Sequence, residues 1–146
     1  MKKSMFGLVA ASALIAVAGP AMAKALFYNG IECTVPTNQT WSPSTLGLHR
    51  TGCGTASCPV TVAPSVGYMF SDVSYAMLYG VNLVNPRLCR RNSSGAITCG
   101  TNAAIGSDAW ILYKPTGSGT YDDVFVWVNV GSGTSLIREY SVSWYD

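Results

Sequence analysis

A lone histidine, His49, stands four residues ahead of Cys53 in the stretch LGLHRTGC. Ser-His-Asp catalysis needs a nucleophile, a base and an orienting acid in contact. No Gly-x-Ser-x-Gly elbow on a strand-turn-helix pattern accompanies this histidine. Cys53 and His49 share a face if the segment is extended, but they then stand about 13 Å apart, so only a bend brings them together. His49 therefore reads as a surface or strand-edge residue, and no residue is assigned to catalysis. The acidic residues offer little more. Asp122 and Asp123 are adjacent, which sends their side chains to opposite faces of an extended chain, unsuitable for paired acid-base work. With Asp108 they could approach a calcium ion, but no loop with ligand spacing is present, and a turn or strand-edge role fits better. One histidine and irregularly spaced cysteines do not make a zinc site. The GSGT at 131–134 lies between two strand-like runs and reads as a turn, not as a phosphate-binding loop opening a helix. The sequence calls for no metal and no cofactor.

Contact chemistry remains. Trp41, Trp110, Trp127 and Trp144 accompany eight tyrosines. On alternating strand positions such rings are most simply core or inter-sheet packing. Trp127 shares its face with Phe125 and Asn129, opposite Val124, Val126, Val128 and Val130. If the valines face the core, Phe125 and Trp127 form an exposed aromatic strip suited to stacking on a sugar or contacting a protein. The reverse orientation, or burial of both faces, makes the strip structural. Trp41, in a polar loop containing proline, is another candidate contact residue.

Arg90 and Arg91 lie in CRRNSSGAITC, Cys89 to Cys99. A three-residue hairpin loop, Ser93-Ser94-Gly95, places Gly95 where a left-handed backbone is favoured and a Cβ would be penalised. Asn92 then pairs with Ala96, Arg91 with Ile97, Arg90 with Thr98 and Cys89 with Cys99. In a non-hydrogen-bonded pair the cysteine Cα atoms approach to about 4.5 Å, within disulfide range. The arginines project from opposite faces of this ribbon and read first as solubilising charges, with a carboxylate or sulfated glycan as their candidate ligand. Asn92-Ser93-Ser94 and Asn38-Gln39-Thr40 match the glycosylation pattern but read as turn chemistry.

The elements that must carry these residues are strands. LFYNGIEC is a plausible first strand, and LGLHRTGCGTASCPVTVAP offers two short ones around a GTAS turn, the second ended by Pro64. In DVSYAMLYGVNLV, Val73, Tyr75, Met77, Tyr79, Val81 and Leu83 share one face, with Leu78 an exception on the other; this alternation predicts one long, half-buried strand. DAWILYKP, DVFVWVNV and LIREYSVSWYD read as three strands of a meander. Gly and Pro sit mostly between these runs. The expected fold is all-β: an antiparallel two-sheet β-sandwich of about eight strands, spanning residues 24–146 as one domain.

Residues 1–23 read as a secretory signal, bacterial in character. Lys2 and Lys3 precede an apolar run from Phe6 to Ala18, and Ala21-Met22-Ala23 offers the cleavage site. No Cys follows to take a lipid, and no later segment is long and apolar enough to span a bilayer, so the released chain is expected to be soluble, without a membrane anchor. Lys2 and Lys3 also account for the whole net charge of +2, since the chain has nine basic and seven acidic residues. The part left after cleavage has no nucleic-acid footprint. Five cysteines in an exported chain imply one or two disulfides and a leftover thiol. Cys53 and Cys58 flank a short loop and could pair locally, whereas Cys33 with Cys58 would close a longer loop.

Cys33, a Gly-containing stretch and Cys58-Pro59-Val60 are followed by the Tyr-rich strand, the Ser-Ser-Gly hairpin and a final Tyr140-Ser141-Val142 strand. Together these resemble a group of short exported bacterial β-sandwich proteins of uncharacterised function. The resemblance implies a Cys33–Cys58 bond with Cys53 left over, and brings no catalytic residue. The expected role is a non-enzymatic surface binding or structural module, periplasmic or secreted, with a glycan or an extracellular protein as partner. A small secreted hydrolase is the alternative, as is an inhibitor of an extracellular enzyme acting through the stapled hairpin.

Overall fold

The computed structural model describes residues 24–60, 73–116 and 123–144, in which eleven strands form two antiparallel sheets packed together. The larger sheet runs β2 (Ser42–Ser44), β3 (Gly47–Thr51), β11 (Thr134–Trp144), β5 (Val73–Val81), β9 (Ala109–Tyr113) and β8 (Asn102–Ala104). β1 (Lys24–Asn29) pairs with the far half of β11, on the same side as β3. The smaller sheet runs β4 (Gly54–Pro59), β10 (Asp123–Val130), β6 (Leu83–Arg91) and β7 (Ile97–Cys99). The expected antiparallel sandwich forms, with more strands than about eight because three-residue strands such as β2, β7 and β8 extend its edges. The 1–23 segment and Pro64 lie outside the described residues, as does Asp122.

Local chemistry explains where the strands differ from expectation. The first strand stops at Asn29 because Asn29 caps a 3₁₀ turn, Gly30–Glu32. Its Oδ1 accepts from the Ile31 amide at 3.0 Å, and its own amide donates to Glu32 Oε1 at 3.1 Å. Gly30 is required there, since a Cβ would meet the Ile137 carbonyl oxygen. The GTAS segment, expected as a turn, lies inside β4; the reversal falls at Gly52 and Cys53, where Gly52 has φ +89.

The long strand also divides. Asn82, at φ 57, ends β5 and sends β6 into the other sheet. Its side-chain Nδ2 fixes this corner by donating to Ser132 O at 3.0 Å and Ser135 Oγ at 2.9 Å. The buried face of β5 is Val73, Ala76, Leu78 and Gly80, so Leu78, an exception to the apolar alternation, is a core residue. Tyr75, Met77 and Tyr79 are only half-buried, on the outer face. Gly80 admits no larger side chain, because a Cβ there would meet the Leu136 carbonyl oxygen of β11, its neighbour in the same sheet. Nor do the last three strands form a meander. β9 and β11 both flank β5 in the larger sheet, while β10 is central in the smaller one.

Val124, Val126, Val128 and Val130 face the core with Leu78, Leu112, Ile137, Tyr140 and Val142. Tyr140 crosses between the sheets. Its hydroxyl donates to the Pro59 carbonyl of β4 at 2.6 Å, and its ring stacks on Tyr28 at 4.8 Å. Burial pushes its pKa well above the usual tyrosine value, and the charge of Glu32 and the neighbouring Tyr28 push it in the same direction. Ser57, two residues before Pro59, directs its carbonyl to the same edge of β4. It accepts from the Thr34 amide at 2.7 Å and the Thr34 hydroxyl at 3.1 Å. Next to this bridge, Cys33 and Cys58 form a disulfide with their Cα atoms 3.9 Å apart.

Candidate functional site

The outer face of the smaller sheet holds most of the residues proposed for contact. The β10–β4 and β10–β6 registers set Trp127 between Ser57 and Arg87, and Phe125 between Pro59 and Cys89. The hairpin forms with Cys89 opposite Cys99, Arg90 opposite Thr98 and Arg91 opposite Ile97. Gly95 has φ +84, and Asn92 N donates to Ala96 O at 3.1 Å, closing the three-residue loop. The Cys89–Cys99 disulfide joins Cα atoms 4.1 Å apart. Two disulfides point to folding in an oxidising environment. Cys53 is free and exposed.

The valines of β10 do face the core, yet Phe125 is only 2% exposed. It is therefore not part of an exposed strip. The Arg91 guanidinium lies 5.4 Å over its ring, and Trp127 meets it edge-on at 6.3 Å. Arg91 also pairs with Asp123 at 3.6 Å, an exposed contact that adds little stability. Arg90 sits on the opposite side of the strand, beside Val124, Lys114 and Pro115. The two arginines do not converge. Trp41 packs against the core, with Nε1 donating to Gln39 Oε1 at 3.2 Å and the Arg50 guanidinium 5.7 Å over its ring. It is a wall residue held beneath Arg50, and the structure does not bring it to Trp127.

Trp127 remains half-exposed, standing between two depressions. One, of about 350 Å³, is lined by Asn85, Arg87, Ile97, Cys99, Trp127 and Asn129. The other, of about 250 Å³, is lined by Thr34, Val35, Pro36, Thr55, Ala56, Ser57 and Trp127. The ring is held in place, because its Nε1 donates to Asn129 Oδ1 at 3.2 Å. A β-bulge lies beside it. The register slips between Trp127 and Asn129, so that Asn85 and Pro86 together face Val128. Asn85 takes φ 46, a left-handed conformation asparagine tolerates, while Pro86 turns inward and is buried. Asn102 Nδ2 donates to Asn85 Oδ1 at 2.7 Å and to Pro86 O at 2.6 Å, which braces the bulge. Arg87 and Asn85 were not singled out by composition or motif. Only the β6–β10 register brings Arg87 opposite Trp127, and the adjoining bulge brings Asn85 alongside.

His49 Nε2 lies 2.7 Å from Ser44 Oγ, at the hairpin between β2 and β3. That hydroxyl also accepts from the Leu46 amide at 3.1 Å and lies 3.3 Å from the Gly47 carbonyl, so it serves the turn. Among the described residues, neither a carboxylate nor Cys53 contacts His49. Among them, too, no three His, Cys, Asp or Glu side chains gather to hold a metal, and no helix is long and apolar enough to cross a membrane. On the larger sheet, Phe27 is 76% exposed and Tyr113 44%. The chain matches no protein-family model, no curated protein and no solved structure.

Proposed function

We propose that this protein is an exported, non-enzymatic β-sandwich that binds glycan on the outer face of its smaller sheet, with Trp127 as the stacking platform. The observation that supports this most is the setting of Trp127: half-exposed, oriented by Asn129 and flanked by two depressions whose mainly apolar walls carry a few polar side chains. A sugar ring offers a flat array of C–H groups to an indole face and hydroxyls to neighbouring amides and hydroxyls. Asn85, Asn129, Thr34, Thr55 and Ser57 supply such partners on both sides of the ring. The signal-like residues 1–23 and the two disulfides favour a periplasmic or secreted location. For a hydrolase, the Ser44–His49 contact is the candidate nucleophile-base pair among the described residues, and its hydroxyl is already engaged in a turn.

The test is retention of residues 24–146 on a panel of immobilised polysaccharides, compared with Trp127→Ala. Binding by the parent with a loss of at least about tenfold in the variant is expected for removal of one stacking platform. Equal retention of parent and variant would remove Trp127 as the platform. Release of reducing ends during incubation would show hydrolysis instead.

A further inference from the structure

Resting on the glycan-binding role proposed above, we infer that the sugar bound at Trp127 is anionic and that Arg87 is the residue that recognises its charge. Arg87 stands directly across the strand pair from Trp127 and lines the larger depression. Directly opposed residues on one face have Cβ atoms about 4.5–5.5 Å apart, so an acidic substituent on a ring stacked against the indole lies within reach of the guanidinium. That guanidinium makes no hydrogen bond or ion pair among the described residues. Two other arginines differ: Arg91 is held by Asp123 and Phe125, and Arg50 by the carbonyls of Thr40 and Cys53 and the ring of Trp41.

The rest of the lining points the same way. Neither depression is lined by a carboxylate. Asn129 spends its side-chain carbonyl on Trp127, and Asn85 spends its own on Asn102. Each therefore keeps its NH₂ group for a ligand, and with Arg87 the depression presents donors to an acceptor-rich group. A planar guanidinium fork matches the two oxygens of a carboxylate, or two of a sulfate, better than it matches a hydroxyl. Bulk attraction does not produce the same preference. Without Lys2 and Lys3 the basic and acidic side chains balance, so a polyanion held by this protein is held locally.

The experiment uses matched polymers: polygalacturonate against its fully methyl-esterified form, and dextran sulfate against dextran. Binding of residues 24–146, Arg87→Gln, Arg87→Lys and Trp127→Ala is measured by titration at about 20 mM and 150 mM salt, with circular dichroism confirming that each variant is folded. The expected result is at least about tenfold tighter binding of a charged polymer than of its neutral counterpart. Arg87→Gln should erase that preference, Arg87→Lys should restore part of it, and Trp127→Ala should weaken binding of both forms. The preferred charged polymer identifies carboxylate or sulfate. Equal binding of charged and neutral forms, unchanged in Arg87→Gln but lost in Trp127→Ala, overturns the anionic assignment and leaves glycan binding standing. No binding to any of the four overturns both. Charged-polymer binding that survives both Trp127→Ala and Arg87→Gln also overturns the assignment, as adsorption elsewhere on the surface.

Discussion

Replacing Tyr140 with Phe should cost stability by an amount that shrinks as pH rises. The substitution keeps the ring, its stack on Tyr28 at 4.8 Å and its burial, and deletes only the hydroxyl that reaches Pro59 O at 2.6 Å. Losing that bond and leaving the carbonyl short of a partner should cost about 1–2 kcal/mol at pH 7. The alkaline limb works in the other direction. Burial raises the folded-state pKa of Tyr140 above its unfolded value of about 10. The stability it contributes is thus complete below about pH 10 and declines as pH climbs toward the folded-state value. At pH 11 the unfolded tyrosine is about tenfold ionised, so the parent has lost about 1.4 kcal/mol at this residue that the phenylalanine variant cannot lose. The gap between the two proteins should shrink from about 1–2 kcal/mol at pH 7 to about 0.5 or less at pH 11. Urea unfolding followed by tryptophan fluorescence measures it, with Cys53 alkylated first so that its thiolate cannot attack a disulfide at high pH. A gap equally large at both pH values, or none at pH 7, would refute the role given to this hydroxyl.

The two disulfides should differ in weight. Replacing Cys89 and Cys99 together by Ser should cost about 2.7 kcal/mol, and Cys33 with Cys58 about 3.5, because the second closes the longer loop. Paired denaturation curves rank them, and non-reducing peptide mapping should recover both bonds with Cys53 unlinked. Gly30→Ala should destabilise by more than about 3 kcal/mol, since the new methyl meets the Ile137 carbonyl oxygen, a backbone atom of central β11. Thermal melting checks this, and a variant that melts like the parent would show that the 3₁₀ turn can move away from β11.

What could be read in advance, and what could not, follows from the range of the interactions. The Cys89–Cys99 hairpin was legible because a short loop ending in Gly95 sets its own register, and the register determines which residues oppose each other. The alternating valines of β10 were equally plain, since four β-branched residues at period two suit a core face. The Cys33–Cys58 bond came from a resemblance; spacing left Cys53 open as a partner. β5 misled because its outward face carries the larger side chains, Tyr75, Met77 and Tyr79, while its buried face includes the small Ala76 and Gly80, and Gly80 is crowded by the backbone of its sheet neighbour β11. Close approach by a distant strand leaves no local signature. The cover over Phe125 includes Arg91 from the neighbouring strand, and the Trp127–Arg87 apposition follows from the long-range β6–β10 register. Both are consequences of how β6 and β10 meet, more than thirty positions apart in the numbering.

The place of β11 has a consequence for the order in which the protein can be made. β1, β3 and β5 each hydrogen-bond to β11, and residues 134–144 are synthesised after all three. Until then the growing chain carries strands with no central neighbour, and contacts this distant in sequence form slowly. The β6–β7 ribbon needs nothing beyond Cys99 and can close early. An emerging chain would therefore hold a stapled ribbon and several unpaired strand edges, a state in which a chaperone that shields open edges would do the most good.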